Sequence, residues 1–246
     1  MIPPLIALIC IIAGWQGLIV LFDLSHLVLP SPRAVLISFV ENMDILISDG
    51  LVTLFESICG FLIALVIGFI IGSLFNFFSR FKAALYPYVI ALRAVPLIAL
   101  APLVGLWLGP GYASKIALSA IVAFFPILVA FIKGLNAADP EAIDLMKTFS
   151  ASDFEIFTKV RLPNSIPDLF VGLKVASTFS VFGAIVAEYL SSSKGGIGST
   201  INNSIYNFST DLTFASIFMA ALIGIIFFAI VVLIERKVVF WNRGEK

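Results

Sequence analysis

Long runs of apolar residues, separated by short polar stretches, dominate the chain. A helix that crosses a membrane needs about 20 mostly apolar residues. The first run lacks a basic N-terminal region and an A-x-A-like cleavage site, so we interpret it as an uncleaved span. The pattern predicts six membrane-spanning helices, at approximately residues 2–22, 52–77, 84–106, 113–133, 166–190 and 213–235.

Lysine and arginine are distributed unequally between the two sides of this predicted bundle. With both termini in the cytoplasm, ten basic residues lie on the cytoplasmic side and three, Arg33, Lys115 and Lys194, lie outside. Cytoplasmic loops of membrane proteins carry an excess of Lys and Arg. The count therefore predicts a multi-pass protein with both termini in the cytoplasm, and it disfavours the inverse orientation.

The composition agrees with a protein whose solvent is lipid. Hydrophobic residues make up 61% and charged residues 12% of the 246 residues, and the mean hydropathy is +1.12. Soluble domains average about 45–50% apolar and about 25% charged residues. These values exclude a soluble enzyme and a disordered chain, and 15 basic against 15 acidic residues give no basic field for a nucleic acid.

Residues that bind metals or nucleotides are scarce. His26 is the only histidine, and no GxxxxGK[ST] sequence for ATP binding occurs. Cys10 and Cys59 lie in apolar runs without the spacing of a metal site, so we expect two buried free thiols. We therefore expect no metal site, no cofactor and no catalytic residue in this chain.

Small residues recur at every fourth position of the second predicted span. Such spacing places them on one face of a helix, where they allow a neighbouring helix to approach closely. The pattern indicates helix packing and carries no chemistry. The residues are Gly60, Ala64, Gly68 and Gly72.

Ionisable residues also lie within or near the ends of the spans. A charge near the middle of a bilayer costs about 2.5–3.5 kcal/mol on insertion scales, so it usually faces protein or water. On the fifth span the polar residues fall within about 100° of helical arc. This stripe suits either a water-filled path or snorkelling and interhelical hydrogen bonds. The ionisable residues are Glu56, Arg93, Lys174 and Glu188, and the stripe on the fifth span consists of Lys174, Ser177, Thr178 and Glu188.

Prolines interrupt the third predicted span, at Pro96, Pro102 and Pro110. Each proline removes a helix hydrogen bond and clashes with the preceding turn. Irregular backbone at membrane depth survives where it is buried in protein or lines a cavity. The break is therefore either part of a transport path or a simple kink.

The cytoplasmic loop 134–165 predicts two short amphipathic helices that meet at a turn. Asp139 and Pro140 are a typical helix start, for a helix over 140–149. Ser150-Ala151 turns the chain, and Ser152 with Glu155 forms a capping box for a second helix over 153–160, which Leu162-Pro163 ends. The apolar residues of this pair are Ile143, Met146, Phe149, Phe154 and Phe157.

Such a pair is too small to fold as a separate domain. It suits the groove of a soluble partner, in the helix-in-groove mode. The alternative is a loop that packs on its own membrane domain.

The loop resembles the coupling segment of permease subunits of bacterial binding-protein-dependent ABC importers, which carry the pattern E-A-A-x3-G-x9-I-x-L-P. Asp144-Leu145-Met146 takes the E-A-A place, Ser150 the Gly place and Val160 the Ile place before Leu162-Pro163. Further matches, such as Arg93-Ala94-Val95-Pro96, Ala187-Glu188 and Gly196-Ile197-Gly198, resemble the nitrate/sulfonate/taurine branch, which includes permeases for thiamine precursors.

Three positions depart from that pattern. Ser150 replaces a glycine that takes the left-handed conformation at no steric cost. Asp144 is shorter than the family glutamate by one carbon. Glu56 stands where the branch usually has a basic residue, which suggests a compensating exchange with Arg93 or Lys174.

The resemblance implies an all-α integral membrane fold, the type I ABC importer permease fold with six transmembrane helices and a cytoplasmic coupling helix. Residues 1–246 would form a single transmembrane permease domain, with the coupling segment at 139–163. Its location would be the bacterial cytoplasmic (inner) membrane, with lipid around it.

The resemblance also implies partners. They are a second permease copy, forming a homodimer, two cytoplasmic ABC ATPase subunits that hold ATP and Mg, and an extracytoplasmic substrate-binding protein. The chain would translocate a small solute, either a nitrate/sulfonate-like anion or a thiamine-precursor-like compound, by alternating access. Hydrolysis of ATP would reside in the partner subunit, and no nucleic acid is expected.

Two sets of site residues follow. ATPase coupling is expected from Asp144, Leu145, Met146, Ser150, Ala151, Ser152, Phe154, Leu162 and Pro163. The translocation path is expected to include Glu56, Arg93, Pro96, Lys174, Ser177, Thr178 and Glu188.

Two other function classes stay open at this point. An ion-coupled secondary transporter also uses broken helices, although such proteins usually show inverted repeats, and none is visible here. An integral membrane enzyme needs a nucleophile with a base, or a metal cluster. Only the importer hypothesis requires the helix pair of the cytoplasmic loop.

Overall fold

A computed structural model describes residues 2–92, 95–191 and 195–240, without the side chains of 2–5, 92 and 97. Arg93, a predicted path residue, lies outside the described residues. The described part is helical and contains no strand. Its helices are α1 (Ile2–Leu21), α2 (Pro32–Glu41), α3 (Met43–Phe77), α4 (Ser79–Leu92), α5 (Leu97–Leu108), α6 (Tyr112–Asn136), α7 (Pro140–Thr148), α8 (Asp153–Ile156), a π-helix (Phe157–Arg161), α9 (Leu162–Leu190), α10 (Ile197–Tyr206) and α11 (Thr210–Val238).

Four helices of the described chain are long and apolar enough to cross a membrane: α3, α6, the continuous helix Asp153–Leu190 and α11. They coincide with the second, fourth, fifth and sixth predicted spans, and α1 coincides with the first predicted span. The second span begins at Met43, earlier than predicted. The polar residues near the beginning of α3 do not interrupt the helix, so the apolar pattern alone underestimates the length of α3.

The third predicted span consists of two shorter helices, α4 and α5. Pro96 is the N-cap of α5, with φ −62° and ψ 124°. Its missing N–H and the extended backbone that it adopts separate the two helices. The predicted break is confirmed at Pro96, whereas Pro102 lies inside α5 and does not end it.

Close packing of α3, α6 and α9 forms the centre of the bundle. A Cβ atom at Gly60 would overlap Ser119 of α6, and one at Gly72 would lie 2.5 Å from the Phe131 ring. A Cβ at Gly172 of α9 would lie 2.6 Å from the Pro126 carbonyl oxygen. The packing face predicted for the second span is thus confirmed, because its glycines contact α6.

Helix α1 lies at the edge of the bundle. Trp15 packs on α11, with ring centroids 5.8 Å from Phe214 and 6.3 Å from Phe218. Cys10, on the same helix, is exposed, and Cys59 is half-buried; both are free thiols. The expectation of buried thiols was wrong, because each apolar helix turns one face away from the protein core.

The sequence predicts that the second short helix of the loop ends at Leu162-Pro163, but the helix continues through these residues. Helix α8 passes through the π-helix directly into α9. The N–H of Leu162 donates to the carbonyl oxygen of Phe157, five residues back. Pro163 has no N–H, and in a regular helix its ring would clash with the carbonyl of residue 159. The wider π turn relieves that clash, so the helix continues.

Candidate functional site

Helix α7 projects from the end of the bundle opposite α10, and none of its residues is buried. Its local sequence stabilises it without help from the core. The Asp139 side chain accepts a hydrogen bond from the N–H of Glu141 at 3.0 Å, and Pro140 occupies the first turn. The predicted helix over 140–149 is confirmed, with its last residue at Thr148.

Ser150 forms the turn after α7 in the left-handed conformation, with φ +57°. Its N–H donates to the Lys147 carbonyl at 2.9 Å, and the N–H of Ala151 donates to the Met146 carbonyl at 3.1 Å. This pair of bonds is the Schellman motif, which usually places glycine at the left-handed position. Serine therefore takes the glycine conformation here and bears its steric cost.

A capping box begins α8, as predicted. The Glu155 carboxylate accepts from the Ser152 N–H at 3.0 Å, and the Ser152 hydroxyl accepts from the Glu155 N–H at 3.3 Å. Lys159 adds an ion pair to Glu155 at 3.1 Å. Both ends of the turn are thus fixed by local hydrogen bonds.

The apolar residues of α7 and α8 point in two directions. Leu145, Phe149 and Phe154 are exposed. Phe157, which the sequence grouped with them, is buried, and its ring centroid lies 4.9 Å from that of Phe77 at the end of α3. The continuation of α8 into α9 turns Phe157 inward, so it belongs to the core and not to the exposed face.

Two further contacts describe this end of the bundle. Arg161 donates to the Asn76 side chain at 2.7 Å, which links the π-helix to α3. Asp144, at the position of the family glutamate, is exposed and pairs with Lys147 at 3.2 Å. Its carboxylate therefore makes no described contact with the bundle.

The predicted path residues do not form one continuous stripe. Lys174 lies 2.9 Å from Glu235 in the last turns of α11, and Ser177 is buried, whereas Thr178 is exposed. Pro96 is exposed beside the break. Glu56 and Glu188 are fully buried at the opposite end of the bundle. Their role in a path stays a prediction.

Glu188 of α9 holds the beginning of α10. Its carboxylate accepts from the N–H of Gly198 at 2.7 Å and from the Thr53 hydroxyl at 2.7 Å. Thr53 in turn accepts from the N–H of Ile197 at 2.9 Å. Because a helix begins with unpaired N–H groups, Glu188 and Thr53 together replace the missing N-cap side chain of α10.

Glu56 pairs with Lys115 of α6, at 3.4 Å. Lys115 also donates to the carbonyl oxygen of Gly195 at 3.0 Å. The sequence suggested Arg93 or Lys174 as the compensating base, and Lys174 instead pairs with Glu235. Sequence reasoning missed Lys115 because it counted that residue only among the charges on the outer side of the membrane. The signal that could have identified it is its position in the first turn of α6, where the helix dipole disfavours a cation.

A cavity of about 570 Å³ opens beside the break between α4 and α5. Apart from Lys133 its lining is apolar, and it lies between α5, α6 and α9. The cavity lining includes Val95, Leu100, Ile121, Phe125, Val171 and Phe179.

Among the described residues, no group of three or more His, Cys, Asp or Glu is placed to hold a metal ion.

The family described as "Binding-protein-dependent transport system inner membrane component" matches residues 64–240. The chain belongs to this family. The match contains α7, the turn, α8 and the Glu188–Gly198 contact, whereas Thr53 and Glu56 lie before it.

The sequences of curated relatives align with most of this chain. A probable ABC transporter permease protein of Haemophilus influenzae is 32% identical, over 96% of each chain. A formylaminopyrimidine transport permease protein of Halalkalibacterium halodurans is 30% identical, over 88% of this chain and 87% of its own. A putative aliphatic sulfonates transport permease protein of Bacillus subtilis is 31% identical, over 95% of this chain and 85% of its own.

A solved structure supports the fold. The crystal structure of an amino acid ABC transporter with histidines has a TM-score of 0.66 and 18% identity, over 82% of this chain and 97% of that one. The all-α type I permease fold predicted from the sequence is confirmed. The chain is a multi-pass membrane protein and a transmembrane subunit of an ABC importer, and this membership decides against the ion-coupled secondary transporter.

Proposed function

We propose that two copies of this chain form the transmembrane path of an importer, and that each copy docks one cytoplasmic ATPase subunit on α7, the Ser150 turn and α8. The observation that carries the proposal is the exposure of Phe149 and Phe154 on a segment whose backbone is fixed by local caps. An apolar helix face of this kind suits a groove on a soluble partner.

The connection to the bundle supports a role as a lever. Helix α8, the π-helix and α9 are continuous, so a displacement of the segment reaches α9 through helical backbone. Phe157 against Phe77, and Arg161 with Asn76, carry the same displacement to α3. Closure of the ATPase subunits would then rock the spans between inward-open and outward-open states, which is alternating access.

The distribution of charge supports an orientation with both termini, α7 and α8 in the cytoplasm. In this orientation α10 lies at the outer end, where an extracytoplasmic binding protein would deliver the solute. The ATPase subunits would bind ATP and Mg and hydrolyse ATP, whereas this chain would carry no cofactor and catalyse no reaction. This arrangement suits a chain with no GxxxxGK[ST] sequence.

For the solute, we propose a small sulfonate-like anion or a compound related to thiamine precursors. The names of the relatives support these classes, since they include permeases for aliphatic sulfonates and for formylaminopyrimidine. We propose that the path runs along the cavity beside Pro96, and that Arg93 and Thr178 contribute to it. Glu56, Lys174, Ser177 and Glu188 would then support the helices around the path.

Native mass spectrometry tests the assembly directly. The tagged chain is purified from its membrane in mild detergent, together with the subunits that bind it. We expect two copies of the chain with two ATPase subunits. A chain that remains alone, even after cross-linking in the membrane, would contradict the proposal.

A further inference from the structure

Lys115 occupies a position that needs a specific explanation. It is buried in the first turn of α6, where the helix dipole disfavours a cation. A buried charge is tolerated when it is paired and hydrogen-bonded. Glu56 on α3 supplies the opposite charge at 3.4 Å, and both side chains are almost fully enclosed.

The second partner of Lys115 is the turn that precedes α10. Its ammonium donates to the carbonyl oxygen of Gly195. Gly195 and Gly196 have φ values of +102° and +95°, which L side chains rarely adopt. A Cβ atom at Gly196 would also overlap the Glu188 carboxylate. The observed conformation of the turn therefore requires glycine at both positions, and Lys115 binds the turn from α6.

Helix α10 is thus attached at its beginning to three spans. Thr53 and Glu56 come from α3, Lys115 from α6 and Glu188 from α9. Farther along α10, the Thr200 hydroxyl donates to Asp49 and the buried Ser204 hydroxyl lies 2.8 Å from that of Thr213, whereas Ile205 and Tyr206 at its other end are exposed. Movement of α10 away from the ends of α3, α6 and α9 therefore requires the contacts at its beginning to break.

We propose that the Glu56–Lys115 pair is a latch that keeps α10 closed over the outer ends of α3, α6 and α9, and that it opens when the path opens outward. This inference rests on the proposed function, because only alternating access requires that end to open. Glu56 and Lys115 are positioning residues in this scheme, since they act through α10.

A buried ion pair such as Glu56–Lys115 favours two states, one closed and one open. When the site is dry, the low dielectric makes the attraction between the charges strong. When water enters between α10 and the spans, both charges are hydrated and the attraction falls steeply. Intermediate separations, with the charges apart but still dry, are costly, so the latch is either closed or open.

A buried thiol reports the position of α10. In a Cys10→Ala, Cys59→Ala background, Ser204→Cys places a thiol where the buried Ser204 hydroxyl lies 2.8 Å from that of Thr213. The complete importer is reconstituted, and the rate of reaction with a membrane-impermeant maleimide is measured without nucleotide and with a non-hydrolysable ATP analogue. We expect the analogue to raise the rate on the order of tenfold.

Charge variants then test the pair itself. Lys115→Met and Glu56→Gln each leave one unpaired charge, so each should raise the rate without nucleotide on the order of tenfold and make ATP hydrolysis less dependent on the binding protein. The double variant removes both charges of the pair together, and its rate should lie closer to the parent. The matched control is Asp168→Asn, which removes an ion pair with Lys133 at the opposite end of the bundle and should leave the rate unchanged.

The outcomes separate this inference from the proposed function. A labelling rate that does not respond to the ATP analogue would overturn the latch, and this measurement needs no charge variant. Unchanged rates in both single variants would overturn it as well. Absence of the ATPase subunit from the purified complex would instead refute the proposed function, and it is detected before any labelling.

Discussion

Phe157 on the π-helix and Phe77 at the end of α3 pack ring against ring, with centroids 4.9 Å apart. Between the exposed Phe154 and the buried Phe157 the chain passes from a surface for a partner to the core of the bundle. This contact ties the segment that we assign to the ATPase to a second span, so a force on the segment acts on α3 as well as on α9.

Truncation of the two phenylalanines should therefore have different effects. Phe157→Ala removes a buried ring and should lower the free energy of unfolding by about 3 kcal/mol. Phe154→Ala removes an exposed ring, so the stability of the isolated chain should stay within about 0.5 kcal/mol. Thermal unfolding in detergent compares them, and equal losses of stability would contradict the assignment of Phe157 to the core.

The left-handed turn offers a stabilising substitution. Ser150→Gly removes the steric cost of a side chain at φ +57°, which is about 1–2 kcal/mol, and part of the gain is offset by the greater freedom of glycine in the unfolded chain. We expect a more protected turn in hydrogen exchange and undiminished binding of the ATPase. Ser150→Pro cannot adopt this φ and should uncouple the ATPase while the spans remain folded.

The exposed carboxylate at the family's glutamate position should act on the partner and not on the fold. Asp144→Ala breaks only the surface pair with Lys147, so membrane insertion and thermal stability should hardly change. We expect association with the ATPase to fall, as measured by co-purification. Normal association and normal transport would show that Asp144 is not part of the coupling site.

The glycines of α3 and α11 provide a packing test. Gly60→Ala places a methyl group against Ser119 and the backbone N of Ala120, and it should destabilise the bundle by about 1–3 kcal/mol. Gly224→Ala meets open space in α11 and should be neutral or stabilising by up to about 1 kcal/mol. Thermal midpoints in detergent give the comparison. A Gly60→Ala protein as stable as Gly224→Ala would mean that α3 and α6 are farther apart.

The ion pair between Lys174 and Glu235 connects α9 to α11. Lys174→Gln leaves a half-buried carboxylate without its partner and should cost about 1–3 kcal/mol. Adding Glu235→Gln should restore part of that loss, because the pair is then neutral. A double-mutant cycle of thermal stability measures the coupling, and an additive result would show that the two side chains do not interact.

The coupling segment could be predicted in detail because its signals are local. Asp139 before Pro140, and Ser152 with Glu155, specify helix starts through groups that lie within three residues of each other. The end at Leu162-Pro163 could not be predicted, since the effect of a proline depends on whether the preceding turn can widen.

The α10 site depends on distant residues. Thr53 and Glu188 are 135 positions apart, and only the packing of α3 against α9 brings them together. The sequence marks Glu56 and Glu188 as unusual charges in spans but does not name their partners. The sequence did not identify Lys115 as a partner, because hydropathy predicts the depth of a residue in the membrane and not the helix that its side chain faces.

The most direct test of the central claim is the amount of ATPase that co-purifies with the chain when Phe149 and Phe154 are both changed to Ser. Phe78→Ser is the matched control, since Phe78 is also exposed at this end of the bundle but lies outside α7 and α8. We predict that the double variant still binds its second copy and loses most of the ATPase, while the control retains it. Full retention of the ATPase by the double variant would contradict the assignment of α7 and α8 as the docking site.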